Sequence, residues 1–97
     1  MARAAIHPGE HLATELKALG MSAAALSREI GVPVNRITAI INGTRAVTAD
    51  TALRLAKYFG TTAGFWMGLQ AQHDLEQAED ALTRELRKIE PVRASAA

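Results

Sequence analysis

The chain has 97 residues and a net charge of +1, with 48 % of its residues apolar and only 4 % aromatic. That length makes one domain, and an apolar fraction dominated by Ala, Leu and Ile favours a compact all-helical body over a sandwich or barrel. Without cysteine it has neither a disulfide framework nor a thiolate zinc site. No apolar run approaches the ~18 residues of a membrane span, and MARAAIHPGE has no hydrophobic signal core, so the expected location is the cytoplasm.

The first element opens at Pro8-Gly9-Glu10, where proline suits a first helical turn and Glu10 complements the positive helix end. Leu12, Leu16 and Leu19 follow as one apolar stripe, and Gly20 ends the helix. Ser22 caps a second helix that turns Ala25, Leu26 and Ile30 to the core. Gly31 ends it in the left-handed conformation, and Val32 pins the turn. A third helix opens at Pro33, with Ile37, Ile40 and Ile41 inward and Asn42-Gly43 as its stop. A loop over 44–47 leads to Thr48, the cap of a fourth helix with Asp50 in its first turn and Leu53, Ala56 and Phe59 inside. Gly60 ends that helix, and Thr61-Thr62 offer the next cap. Phe65, Trp66, Met67 and Leu69 are the largest apolar cluster and are expected to close the core.

The apolar period continues through Leu75, Ala78, Leu82, Leu86 and Ile89 with no breaker before Pro91. It predicts one long fifth helix from about Ala63 to about Ile89. Its outer half exceeds what four short helices can cover. An apolar stripe with nothing of its own to bury it against meets a partner, so these five residues are the candidate dimer seam. A tail folded back on the body is the alternative. The single domain thus has a core over about 6–70 and an extension over about 71–90; PVRASAA, residues 91–97, reads as disordered.

Residues 1–70 carry seven Lys/Arg against four Asp/Glu, a net of +3, while 71–97 carry four against six, a net of −2. A basic body with a mildly acidic tail fits a DNA-binding domain whose tail has a separate task. The stretch Ser22–Arg45 supplies the means: two short helices joined by a tight turn at Gly31-Val32. The second must have one buried face and one open face, with its N-terminal residues entering the major groove. Val34, Asn35, Thr38, Ala39 and Asn42 lie opposite the isoleucines. Asn35 can pair with adenine through its amide, Thr38 can reach a base edge or phosphate, and Val34 and Ala39 can touch thymine methyls. Asn42, Thr44 and Arg45, with Arg36 at the flank, are placed for phosphates, which set register. Two helices with a glycine turn also occur in many all-α proteins, so spacing alone leaves DNA binding undecided.

The run LSREIGVPVNRITAIINGTR resembles the helix-turn-helix of the XRE, or lambda-repressor-like, family, with hallmarks at Leu26, Gly31, Val32, Ile37, Ile40, Asn42, Gly43 and Arg45. It departs at Ala23, where many members carry a glutamine that braces a phosphate, and at Pro33, where Ser or Thr is commoner. IHPGEHL before the run and TADTALRLAKYFGTTAGFWMGLQAQHDLEQA after it resemble the HigA-type antitoxins of the VapI group, over about residues 6–80. The resemblance implies an all-α, five-helix lambda-repressor-like domain in a homodimer that binds double-stranded operator DNA and represses its own operon. It also implies a HigB-like toxin partner, a small RelE-like mRNA endonuclease that the chain neutralises. A stand-alone or phage-type repressor without a toxin is the rival reading. For a basic nuclease the acidic stretch Asp74, Glu76, Glu79 and Asp80 is a better match than Arg84, Arg87 and Lys88.

One motif points elsewhere. His7-Pro8-Gly9-Glu10-His11 matches the H-x-x-E-H of inverted zinc peptidases, where two histidines one turn apart hold the metal. Pro8-Gly9 marks a helix start, so His7 sits at or before the cap and need not face His11. A zinc hydrolase is the remote alternative. There is no phosphate loop, Ser/His/Asp grouping or cysteine nucleophile, and no catalysis, metal or cofactor is expected.

Overall fold

The computed structural model describes residues 6–92 as five helices, with no strand among the described residues. They are α1 (Pro8–Leu19), α2 (Ala23–Ile30), α3 (Val34–Ile41), α4 (Ala49–Phe59) and α5 (Ala63–Arg87). Local chemistry sets most of the boundaries. Ser22 Oγ accepts the Ala25 N–H and Thr62 Oγ1 accepts the Phe65 N–H, both at 3.0 Å. Gly31 turns the chain between α2 and α3 at φ 72°, a region that a side chain disfavours. Its N–H and that of Val32 both reach the Ser27 carbonyl, at 2.9 and 3.1 Å.

Thr48 sits at the N-cap of α4 as expected, though its hydroxyl makes no cap bond. Two boundaries differ from the sequence expectation. Pro33 occupies the N-cap of α3 and the helix proper begins at Val34. Helix α5 stops at Arg87 and leaves Ile89 outside it. Pro91 explains that stop, because in a continued helix its ring would meet the Arg87 carbonyl. Of the segment 91–97, only Pro91 and Val92 are described; both are exposed, and the expected disorder of the remainder lies outside the described residues.

The core joins Leu12 and Leu16 of α1, Leu26 and Ile30 of α2, Val32 of the turn, Ile37 and Ile40 of α3, Val47 of the following loop, three residues of α4 and Trp66 of α5. Several expected core residues lie outside it. Leu19 is exposed, and the reversal at Gly20 lets Met21 pack against the core instead. On α4 the buried arc is Ala52, Leu55 and Ala56, which leaves Leu53 outward. Phe65 and Met67 are part-exposed on either side of Trp66, since adjacent helical residues point about 100° apart and only one of the three can face inward. Trp66 is that residue, and its indole N–H donates to Thr61 Oγ1 at 2.9 Å.

Two features fix where α3 lies. The start of α1 packs on the end of α3 so closely that a Cβ on Gly9 would fall 1.8 Å from the Ile40 carbonyl oxygen. Helix α4 packs against α2 and α5 on the other side. Beyond Glu76 every described residue is exposed, so the second half of α5 projects from the body rather than folding back on it. At 1.5 Å per residue the 25-residue helix is about 37 Å long.

Candidate nucleic-acid interface

Helix α3 divides cleanly. Ile37 and Ile40 are fully buried and Ile41 half-buried, which locks one face into the core. Val34, Asn35, Thr38 and Asn42 are exposed on the other face, with Ala39 half-buried between them. Thr38 Oγ1 donates to the Asn35 carbonyl at 3.3 Å, a contact that water or a ligand replaces at little cost. At the end of the helix Thr44 returns both its N–H (2.9 Å) and its Oγ1 (3.1 Å) to the Ala39 carbonyl. Arg45 follows on the exposed loop and makes no ion pair among the described residues. Seven of the eight residues singled out for DNA therefore share the open end and face of one helix and its following loop.

Arg36 stands apart. Its side chain is three-quarters buried, and Nη1 reaches Asp50 Oδ1 on α4 at 3.3 Å. Among the described residues its Nε is enclosed with no hydrogen-bond partner. The guanidinium is thus turned from the flank toward the α3–α4 joint. The same carboxylate accepts from Arg54 Nε at 2.8 Å, and this bond, before the two neighbouring charges, holds the Asp50 carboxyl below its usual range. Arg54 reaches further, donating through Nη1 to the Ile30 carbonyl at 2.7 Å. A cation there satisfies the negative end of α2 and ties α4 to the helix-turn-helix. Sequence reasoning passed over Arg54; the Asp50…Arg54 spacing of four within one helix was the available signal. Ala23, at the position of the family's glutamine brace, is half-buried and packs against the core.

The loop carrying Arg45 is anchored at its far end as well. The Val47 side chain is buried, and its N–H donates to Gln70 Oε1 of α5 at 2.8 Å. Gln70 is itself buried, and its Nε2 donates to Asp74 Oδ1 at 3.0 Å. His73, next to Asp74, meets His7 edge-on with ring centroids 4.9 Å apart.

His7 closes α1 as its N-cap. Nδ1 accepts the Gly9 N–H at 2.9 Å, while Glu10 reaches back to the His7 N–H at 3.4 Å, a reciprocal capping box. Burial first, and His73 second, push the His7 imidazole below its usual range; Asp74 and Glu10 pull it part of the way back. His11 instead lies edge-on to Phe65 and Trp66 and pairs with Glu15 at 3.4 Å. His7 sits at the cap, as the helix start at Pro8-Gly9 implied, and spends its Nδ1 there; among the described residues no group of three or more His, Asp or Glu is arranged to hold a metal.

A family model described as helix-turn-helix matches residues 12–66. Virulence-associated protein I of Dichelobacter nodosus is 50 % identical over 76 residues, covering 77 % of this chain and 70 % of that protein. A HigA-family addiction module antidote protein from Coxiella burnetii is 48 % identical, covers 92 % of this chain and 99 % of its own, and superposes with a TM-score of 0.89. The chain belongs to the HigA/VapI-type branch of the helix-turn-helix family. Antitoxin HigA of Pseudomonas aeruginosa, whose structure was solved with the higBA promoter, is 40 % identical with a TM-score of 0.88, covering 92 % of this chain and 99 % of that one. This is a family of DNA-binding regulators and antitoxins, not of enzymes. No helix among the described residues is long and apolar enough to cross a membrane.

Proposed function

We propose that the chain is a dimeric, cytoplasmic antitoxin and autorepressor that binds operator DNA through α3 and neutralises a HigB-like toxin. The observation that carries the DNA half is the division of α3, with its isoleucine face locked and its Val34–Asn42 face open. Asn35 and Thr38 read base edges, Val34 and Ala39 meet thymine methyls, and Asn42, Thr44 and Arg45 hold phosphates. Arg36 joins them from the flank when it leaves Asp50. Two such units in a dimer read a palindrome with half-sites about one helical turn, ~10 bp, apart or a multiple of it.

Support for the dimer comes from the outer part of α5 and the residues just after it. Leu75, Leu82, Leu86 and Ile89 are 44–65 % exposed, and Ala78 is exposed among them. A row of large apolar residues that its own chain leaves in water is stabilised by a second copy. For the toxin, the exposed acids Asp74, Glu79 and Asp80, with Glu76 half-exposed, offer a surface complementary to a basic nuclease. Likeness to HigA proteins over 92 % of the chain, including α5, favours this reading over a stand-alone repressor. Co-expression with the product of the neighbouring gene tests it: a small basic protein that co-purifies and loses its ribonuclease activity supports the antitoxin, and absence of any such partner leaves the repressor alone.

A further inference from the structure

We propose that Gln70 is a positioning residue for DNA binding: from α5 it holds the loop that presents Thr44 and Arg45 to phosphates. The proposal rests on the DNA-binding reading above. Thr44 ties the near end of the loop to the Ala39 carbonyl, and Val47 ties the far end to Gln70. Thr44-Arg45-Ala46 is exposed between these two anchors. The anchor at Val47 is a buried hydrogen bond between elements 23 residues apart, made by a polar side chain only 6 % exposed. Such a group is retained in a core only where its partners are satisfied.

Both partners of the Gln70 amide demand the same orientation. The Val47 N–H can only donate, so the amide oxygen faces it; the Asp74 carboxylate can only accept, so the amide nitrogen faces that side. Asp74 therefore fixes the direction of an amide that two rotamers would otherwise share. The result is a relay from the surface of α5 through the core to the loop after α3. It places Arg45 in one position before DNA arrives, which lowers the ordering that binding requires.

The test uses the full chain and a duplex taken from upstream of its own gene. Gln70→Met keeps length and apolar volume but removes the acceptor. We expect the Val47 amide to exchange with solvent at least about tenfold faster and duplex affinity to fall about tenfold. The slope of log affinity against log salt becomes less negative by about one, the signature of one lost phosphate contact. The ranking of duplexes carrying single base-pair changes stays as in the wild type, because α3 is untouched. Gln70→Glu alone sets two carboxylates together and also weakens binding; adding Asp74→Asn reverses the bond between positions 70 and 74, leaves the Val47 N–H its acceptor, and restores affinity and slope. Unchanged binding in Gln70→Met, or an unchanged slope, overturns the proposal, as does a folded double variant that stays weak. If Gln70→Met loses its helical signal, the double variant decides by the same criterion. A wild-type chain with no preference for its own duplex overturns the DNA reading, and this proposal with it.

Discussion

Gly9→Ala perturbs the contact that seats α3. The added Cβ would lie 1.8 Å from the Ile40 carbonyl oxygen, 2.8 Å from its carbon and 3.0 Å from the Ile41 Cα. All three are backbone atoms, so no side chain can swing aside. Reaching an ordinary contact of 3.4 Å requires the start of α1 and the end of α3 to part by about 1.6 Å. Overpacking of this kind costs about 1–3 kcal/mol, against which alanine recovers at most about 1 kcal/mol of helix propensity. Because the obstacle is backbone, a net loss near 2 kcal/mol is expected, which lowers Tm by about 8–16 °C in a domain of this size. Gly68→Ala is the control. Apart from its chain neighbours and the backbone of its own helix, no heavy atom of the described residues lies within 4 Å of its Cβ position in α5, so it stabilises by about 0.4–1 kcal/mol. Thermal unfolding followed by circular dichroism, at one protein concentration because any self-association makes Tm concentration-dependent, reads both. A Gly9→Ala chain that melts with or above the wild type would refute the close seating of α1 on α3.

Other predictions follow from the cap and the stripe. The His7 imidazole is held below its usual range in the folded chain, so the unfolded chain takes up the proton more readily. The stability of its neutral cap is complete above the unfolded value of ~6.5 and is lost as pH falls through the lowered folded value. Wild-type Tm should therefore drop more between pH 7.5 and 5.5 than that of His7→Asn, whose amide caps without titrating; parallel profiles would show that His7 is not the cap. The pair Leu82→Glu with Leu86→Glu should yield a folded monomer in sedimentation, and persistence of a dimer would place the seam elsewhere.

Much of the fold was legible because it is local chemistry. Gly20, Gly31 and Gly60 end their helices where their sequence positions predict, and Ser22 and Thr62 cap by reaching three residues ahead. Periodicity also gave the α3 isoleucine face correctly. It failed where two arcs of one helix are apolar, as at Leu53 on α4, because only the neighbours of the helix decide which arc is buried. The supports of the interface were not legible for a related reason. Arg36 finds Asp50 fourteen residues on, Arg54 finds Ile30 twenty-four residues back, and Val47 finds Gln70 twenty-three on. Nothing in the spacing of those residues announces such pairs. His7 shows the converse, a local pattern with a metal-like signature whose chemistry is a helix cap.

Reading of an operator by the open face of α3 is tested by fluorescence anisotropy of the full chain against a duplex from upstream of its own gene and a scrambled duplex of equal length. A preference of about 10³-fold or more for the first is expected, with affinity falling steeply as salt rises. Asn35→Ala should give up about 1–3 kcal/mol of that preference and relax it at one base pair. Equal affinity for the two duplexes, or an Asn35→Ala chain that discriminates as well as the wild type, would contradict it.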